Sequence, residues 1–354
     1  LGFERAFPGT TVVKLEQNYR STGHILAAAS TLIAHNRHRH PKTLWTEEPD
    51  GELVRIHEAG TDRMEARWVV EQIQKLRRSF GLGSFAIFYR TNAQSRLFED
   101  ALRAAGLTHR VVGGLRFYDR AEVKDLLAYL KVLVNPADAV SLERIINTPT
   151  RGIGQGTVQR IRDESAVTGV SLWDATVKLS LEGTPALQKK LGPFVQMMSD
   201  LMERSATVSA LGVAQEVLER TGYSQRLKGE DTAESESRLQ NLEEVLNAIE
   251  EHGEGTGDGS LVSFLEAAAL VSDLDTHDMR QEAISLMTAH TAKGLEFDYV
   301  VLLGVDADRY GRDPTSRYLL HVGVTRAAHQ LWMVSTGNPS MLIPDGLPGM
   351  VDGA

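Results

Sequence analysis

The chain has 354 residues, 42% hydrophobic and 24% charged, ordinary proportions for a folded soluble protein and enough chain for two domains with separate cores. It contains no cysteine, which excludes disulfides and thiolate metal centres and agrees with a cytoplasmic protein; no apolar run reaches about 18 residues, which excludes a membrane helix. The formal net charge of −9 argues against a nucleic-acid partner until it is mapped along the chain. Glu230 to Asp258 alone carries ten carboxylates against Arg238, so the remainder is neutral overall, and between Arg110 and Arg162 nine basic residues face five acids. Such segregation fits either two solvated helix faces or a basic binding surface. The chain begins at Leu1 rather than Met and shows no signal peptide, which reads as a fragment of a longer protein.

In chain order, T-T-V-V-K-L (10–15) reads as a buried strand, followed by a helix from about Thr22 to His35 that Ser21 or Thr22 is placed to cap. E-L-V-R-I-H-E (52–58) alternates as a strand, and Asp62 caps an amphipathic helix running to about Arg78. F-A-I-F-Y (85–89) is another buried strand, Asn92 to Ala105 a helix, and H-R-V-V-G (109–113) a strand closed by Gly113-Gly114. This alternation implies a parallel sheet with helices on both faces. From about Arg116 to Met279 helical periodicity holds almost without strands, as in K-D-L-L-A-Y-L-K-V-L and L-Q-N-L-E-E-V-L-N-A-I. Strand patterns then return in A-I-S-L-M-T (283–288), Y-V-V-L-L-G (299–304) and L-W-M-V-S (331–335). The fold class is therefore α/β, one sheet domain interrupted by a large all-helical insertion entered near Gly114 and left near Arg280. H-G-E-G-T-G-D-G-S (252–260) reads as a mobile glycine-rich loop within the insertion.

Three stretches carry chemistry. In L-E-Q-N-Y-R-S-T (15–22), Arg20 falls at the carboxyl end of the first expected strand, where open α/β sheets place ligand contacts. T-A-H-T-A-K-G-L-E-F (288–297) reads as strand, loop and helix; His290, Thr291 and Lys293 offer donors, Gly294 permits close backbone approach, and Glu296 is a carboxylate able to accept from a ribose. V-G-V-T-R-A-A (322–328) puts Arg326 at the start of a helix. Two arginines and a glutamate on loops of one sheet edge suggest a surface that clamps a nucleoside triphosphate from outside, because guanidinium stays charged and matches phosphate oxygens bidentately. H-N-R-H-R-H-P (35–41) lacks a carboxylate partner for a metal, Asp306 and Asp308 read as a loop, and Met197, Met198 and Met202 read as core filler. No metal ligand set is expected.

L-E-Q-N-Y-R-S-T-G-H-I-L, F-Y-R-T-N-A-Q-S-R, V-V-G-G-L-R-F-Y-D-R-A-E-V-K-D, N-T-P-T-R-G-I-G, L-M-T-A-H-T-A-K-G-L-E-F and H-V-G-V-T-R-A together resemble, in order and over nearly the whole chain, the C-terminal half of UvrD/Rep/PcrA-type superfamily 1 DNA helicases. The resemblance implies that residues 1–113 and 281–344 form the family's second RecA-like domain, that 114–280 form its helical accessory DNA-binding subdomain, and that 345–354 are a tail. It implies Arg20 and Arg326 as catalytic arginine fingers on the ATP γ-phosphate, Glu296 on the ribose and Gly294 beside the nucleotide. Arg90, Asn92, Thr288 and His290 would lie along single-stranded DNA, contacting phosphates. Arg151, Gly152 and Gly154 of T-R-G-I-G would meet duplex DNA, backbone N–H groups approaching a phosphate at a helix start. Phe117 and Tyr118 could stack on bases, although their place before an amphipathic helix favours packing.

The cofactor so implied is ATP with Mg²⁺, held mainly by an N-terminal RecA-like domain. That domain, single-stranded DNA and the single-strand/duplex junction are the implied partners, with repair or replication proteins beyond them and no membrane. The resemblance further implies that the whole protein is an ATP-dependent helicase of 3′-to-5′ polarity; because the sequence holds no G-x-x-x-x-G-K-[ST] loop, the present segment is expected to be inactive alone. One departure stands between Val305 and His321, where D-P-T-S-R-Y-L-L replaces a longer acidic E-E-E-R-R-L-type stretch. Two other readings stay open: a non-enzymatic DNA- or partner-binding module derived from a helicase, and a subunit of a helicase–nuclease, which would need a carboxylate-rich metal domain beyond Ala354.

Overall fold

Runs of β-branched and aromatic residues build one sheet. The computed structural model describes residues 7, 9–11, 13–34, 36, 44–274, 282–343 and 349–352, with 271–274 and 349–352 described by backbone alone. Seven strands pair: β1 (Val54–Glu58), β2 (Phe85–Tyr89), β3 (His109–Val111), β4 (Ile284–Thr288), β5 (Phe297–Leu302), β6 (Ala327–Ser335) and β7 (Gly349–Asp352). Their order is β3-β4-β2-β5-β6-β1-β7, and every pairing is parallel. Strands covered on both faces need no polar alternation, and β2, inside the sheet, is buried at every position.

Among the described residues, four helices cover the two faces: α1 (Gly23–Ala34), α2 (Asp62–Leu76), α3 (Ser95–Ala104) and α4 (Pro314–Val324). Because side chains alternate along a strand, Ala86 and Phe88 of β2 join the core under α1 and α4, with Ile25, Leu32, Leu320 and Val324. Phe85, Ile87 and Tyr89 join the opposite core under α2 and α3, with Val69, Ile73, Phe98 and Leu102. The chain divides into two compact units, Leu1–Arg116 with Asp278–Ala354, and Phe117–His277. The second is helical through its described length and has its own core, in which Phe117, Leu130, Phe194 and Met198 are buried and Tyr118, Met197 and Met202 pack against it. Arg280, the expected exit from the insertion, lies outside the described residues. Among the described residues, no helix is long and apolar enough to cross a membrane.

Several local expectations are corrected. T-T-V-V-K-L forms no strand in its described residues; Val13 and Leu15 are exposed, and the nearest pairing is an isolated bridge of Gln17 with Trp45. β-Propensity without a neighbouring strand makes no ladder. Neither Ser21 nor Thr22 caps α1 with its side chain. Ser21 Oγ donates to the Ala327 carbonyl at 2.7 Å, and the Gly23 and His24 N–H groups donate to the Pro49 and Asp50 carbonyls. Thr61, not Asp62, caps α2 by accepting from the Met64 N–H, while Asp62 lies in the first turn, where its charge suits the helix dipole. The expected helix from Asn92 begins as a 3₁₀ turn, Asn92–Gln94, before α3. The glycine-rich stretch from His252 is helical to Thr256, where Gly257 at φ 70° stops the helix Ala233–Thr256.

Phe88 is fully buried against α1 and α4. Phe88→Ala is expected to lower unfolding free energy by about 3–5 kcal/mol, read as a lower urea midpoint for loss of the sheet unit.

Candidate functional site

In a parallel sheet all strand starts share one rim. Glu296 immediately precedes β5 and Arg326 immediately precedes β6, and Phe297 pairs with Ala327, so the two residues stand side by side at the amino rim. Arg20 joins them: its Nε donates to Glu296 Oε2 at 2.8 Å and its Nη1 to the Thr325 carbonyl at 3.0 Å. Asn18 Oδ1 accepts from the Arg20 and Ser21 N–H groups at 2.9 and 2.8 Å. Together with Thr22 N–H on the Ala328 carbonyl, these bonds stitch the segment to β6. Arg326 donates through Nε to the Val322 carbonyl, through Nη1 to the Leu295 carbonyl and through Nη2 to Thr325 Oγ1. Burial first, and then the Arg20 charge, hold the Arg326 pKa below its ordinary value, yet an arginine stays charged. The Glu296 side chain is 69% exposed against 27% for Arg20, so an incoming group can reach the ion pair from the carboxylate side.

The cluster sits at the amino rim, not at the carboxyl end of a strand, and Arg326 does not start a helix. Asp313 caps α4 and Pro314 opens it; the helix closes at Val324, leaving Thr325 and Arg326 as the turn into β6.

The stretch 288–297 is strand, turn and strand rather than strand, loop and helix. Eight residues, 289–296, carry the chain from the end of β4 past β2 to the start of β5, whereas parallel crossovers ordinarily take a dozen or more. So short a path must lie flat on the sheet, and its Ala289 and Ala292 are fully buried in the α1/α4 core. Gly294 takes φ 91°, a backbone open to glycine.

Thr288 and His290 consequently belong to the other rim. Tyr89 pairs with Thr288, which places Arg90 and Asn92 beside them at the carboxyl end. Thr288 Oγ1 lies 2.9 Å from Thr291 Oγ1. Burial and then the Arg90 charge lower the His290 pKa, so His290 is neutral at neutral pH and offers a hydrogen bond rather than a charge. The expected residues thus form two groups, Arg20, Arg326 and Glu296 at one rim and Arg90, Asn92, Thr288 and His290 at the other.

In the helical unit, T-R-G-I-G precedes the helix Gln155–Thr168, with Gly154 as its exposed N-cap and Gly152 exposed at φ 75°. Asn147 Oδ1 accepts from the Arg151 and Ile153 N–H groups at 2.8 and 3.1 Å. The Arg151 guanidinium is turned inward: it donates to the Ile145 carbonyl and the Tyr129 hydroxyl and lies over the Tyr129 and Phe194 rings. Its charge therefore braces the loop, and Thr150, Gly152 and Gly154 are its exposed residues. Phe117 is fully buried and meets Tyr118 edge-on, so it packs rather than offering a face for stacking.

The sequence reading took Asp306 as part of a loop and Asp62 as a cap and passed over Arg309 and Glu65, which the structure gathers at the carboxyl rim. Asp306 accepts from Arg309 and from the Thr336 N–H, and Arg309 also pairs with Asp62. Glu65, 1% exposed, accepts from the Gly304 N–H at 2.8 Å. A charged residue in helical spacing gives no sign that it points inward. Of H-N-R-H-R-H-P, the described residue is Asn36, which accepts from Arg317; the histidines and the arginines lie outside the described residues. Among the described residues no group of three or more His, Asp or Glu is gathered as for a metal.

Residues 13–338 match the description of the UvrD-like helicase C-terminal domain. The ATP-dependent DNA helicase PcrA of Bacillus subtilis (strain 168) is 38% identical over 354 residues, covering 95% of this chain and 48% of that protein. PcrA of Staphylococcus aureus (strain Mu50) is 36% identical over 351 residues, covering 94% and 48%. The chain spans about half the length of the curated relatives it matches. A solved C-terminal domain of a possible DNA helicase from Lactobacillus plantarum WCFS1 overlaps 95% of this chain and 99% of that one at 12% identity and a TM-score of 0.40, too loose a match to carry an argument.

Desolvation pushes the Glu65 pKa from 4.5 up to about 8, with Asp62 and Asp306 adding to the rise and the Gly304 N–H and Arg309 opposing it. The folded state then holds a proton that the unfolded state releases, so stability falls as pH rises from about 4.5 to about 8 and levels off above. Glu65→Gln keeps an acceptor for Gly304 and removes the titration. Urea midpoints at pH 5 and pH 8 should differ less for the variant than for the wild type.

Proposed function

The chain belongs to the UvrD-like helicase C-terminal domain family, and on that premise we propose that it is the half of an ATP-dependent 3′-to-5′ DNA helicase that completes a nucleotide site founded on another domain. The observation that carries this is the meeting of Arg20, Arg326 and Glu296 at the amino rim, with Arg20 Nε 2.8 Å from Glu296 Oε2. Two guanidiniums beside one exposed carboxylate suit a nucleoside triphosphate: cations for phosphate oxygens and an acceptor for a ribose hydroxyl.

Arg20 and Arg326 act as fingers on the γ-phosphate, neutralising charge that develops as the phosphoryl group leaves, an effect worth about 10³–10⁵ in rate. Mg²⁺, when bound with the nucleotide, supplies further neutralisation of phosphate charge. Arg326 can do this without searching for its position, because its donors are already fixed on the Val322 and Leu295 carbonyls. Glu296 accepts from the ribose once Arg20 turns toward phosphate. No phosphate cradle of the G-x-x-x-x-G-K-[ST] kind occurs in the sequence, so the present segment alone neither hydrolyses ATP nor unwinds DNA.

Single-stranded DNA is gripped at the carboxyl rim. Arg90 supplies charge, and Asn92, Thr288 and neutral His290 supply hydrogen bonds, chiefly to phosphates, which makes the grip independent of sequence and sensitive to salt. In the helical unit, the exposed Gly152 and Gly154 meet duplex DNA with backbone N–H groups at the start of the helix Gln155–Thr168. Closing and opening of the cleft between two RecA-like domains with each ATP cycle would alternate these grips and step the protein along the strand.

Joined to an N-terminal RecA-like half, the chain should show DNA-stimulated phosphate release, and Arg326→Ala should reduce that release by about 10³-fold or more while single-strand affinity is kept. Equal turnover in both proteins, or DNA-stimulated turnover by these 354 residues alone, would sink the assignment.

A further inference from the structure

Gln94 is none of the ligand groups named above, yet the turn that follows β2 depends on it. Its Oε1 accepts from two successive backbone donors, Arg90 N–H at 2.9 Å and Thr91 N–H at 3.0 Å. The ladder between β2 and β4 ends at Tyr89 and Thr288, so beyond that pair the side chain of Gln94 takes over the work of a neighbouring strand. The stretch T-N-A-Q, 91–94, has the spacing in which a residue three positions on reaches back to the N-cap amide.

The other end of the same side chain packs against Gly304. Gly304, just past β5, takes φ 55°, and a Cβ there would stand 2.8 Å from Gln94 Nε2 and 2.8 Å from Arg309 Nη1. The glycine therefore leaves the room that the Gln94 amide fills. Gly304 is itself pinned, its N–H on the buried Glu65 carboxyl at 2.8 Å, and Leu303 N–H donates to the Phe88 carbonyl. The ends of β2 and β5 are thus joined by the Leu303–Phe88 bond, with the Gln94 side chain packed against Gly304.

The group this block presents is Arg90. Its guanidinium makes no hydrogen bond or ion pair among the described residues, although its backbone N–H is fixed. A free cation on a fixed backbone is arranged for an anion from outside. We propose that Gln94 is a positioning residue for nucleic-acid binding, which holds the Arg90–Thr91 turn so that the Arg90 guanidinium meets a phosphate of single-stranded DNA. This rests on the carboxyl-rim grip proposed above. Gln94 touches no DNA itself and acts through Arg90, which separates its effect from that of a residue that merely stabilises the fold.

The test is a double-mutant cycle on the 354-residue chain, with binding of a labelled thymidine homopolymer followed by fluorescence anisotropy across a salt series. Arg90→Ala should weaken binding and lower the log–log salt slope by about 0.7, the value of one phosphate contact on a single strand. Gln94→Met, which keeps length and loses both polar atoms, should lower the slope similarly and weaken binding by about fivefold. The double variant should bind no worse than Arg90→Ala alone. Unfolding midpoints are measured alongside; should Gln94→Met fail to fold, Gln94→Asn, one methylene shorter, takes its place in the cycle. Wild-type binding by the Gln94 variant while Arg90→Ala is impaired, or losses that multiply in the double variant, would overturn the positioning role alone. Absence of salt-dependent binding by the wild type, with Arg90→Ala changing nothing, would overturn the carboxyl-rim grip and this inference with it.

Discussion

A parallel sheet covered by helices on both faces leaves only its two rims for polar chemistry. β2 is buried along its whole length and shares its side chains between two cores, so a charge placed within the strand would face hydrocarbon on either side. The charged groups beside β2 therefore stand at its ends. The amino rim gathers Arg20, Arg326 and Glu296, and the carboxyl rim gathers Arg90, Asn92, Thr288 and His290. The eight-residue crossover 289–296 links one rim to the other, and its flat path on the sheet requires the small side chains of Ala289 and Ala292.

That crossover makes the rims mechanically dependent. It begins beside Arg90 and ends at Glu296, and its Leu295 carbonyl is held by Arg326. Buried elements are close-packed and move in discrete steps rather than deforming smoothly. A short, tightly packed connection of this kind fixes the place of Glu296 relative to Thr288.

The helical unit treats its loop differently. Arg151 is spent on the Ile145 carbonyl, the Tyr129 hydroxyl and two aromatic faces, and burial pushes the Tyr129 hydroxyl up to about 12. The loop is stiffened by Arg151, and Thr150, Gly152 and Gly154 are left outward. An arginine in a loop sequence can thus serve the backbone that binds rather than the ligand that is bound.

Much of this was legible in the sequence. F-A-I-F-Y could only be a strand buried on both sides, and the switch from strand patterns to long helical periodicity marked a sheet interrupted by helices. The segments that bear the candidate site residues were also visible as local patterns. T-T-V-V-K-L had strand composition but found no neighbour to pair with, and nothing local to T-N-A-Q showed that Gln94 would pack against Gly304, some 210 positions on. Periodicity and composition determined which residues enter the core, because burial acts locally through side-chain spacing. Tertiary structure alone decided at which rim each charge stands, that Arg326 follows a helix rather than starting one, and that Arg151 turns inward, because those outcomes depend on strand order and on hydrogen bonds between residues far apart in the chain.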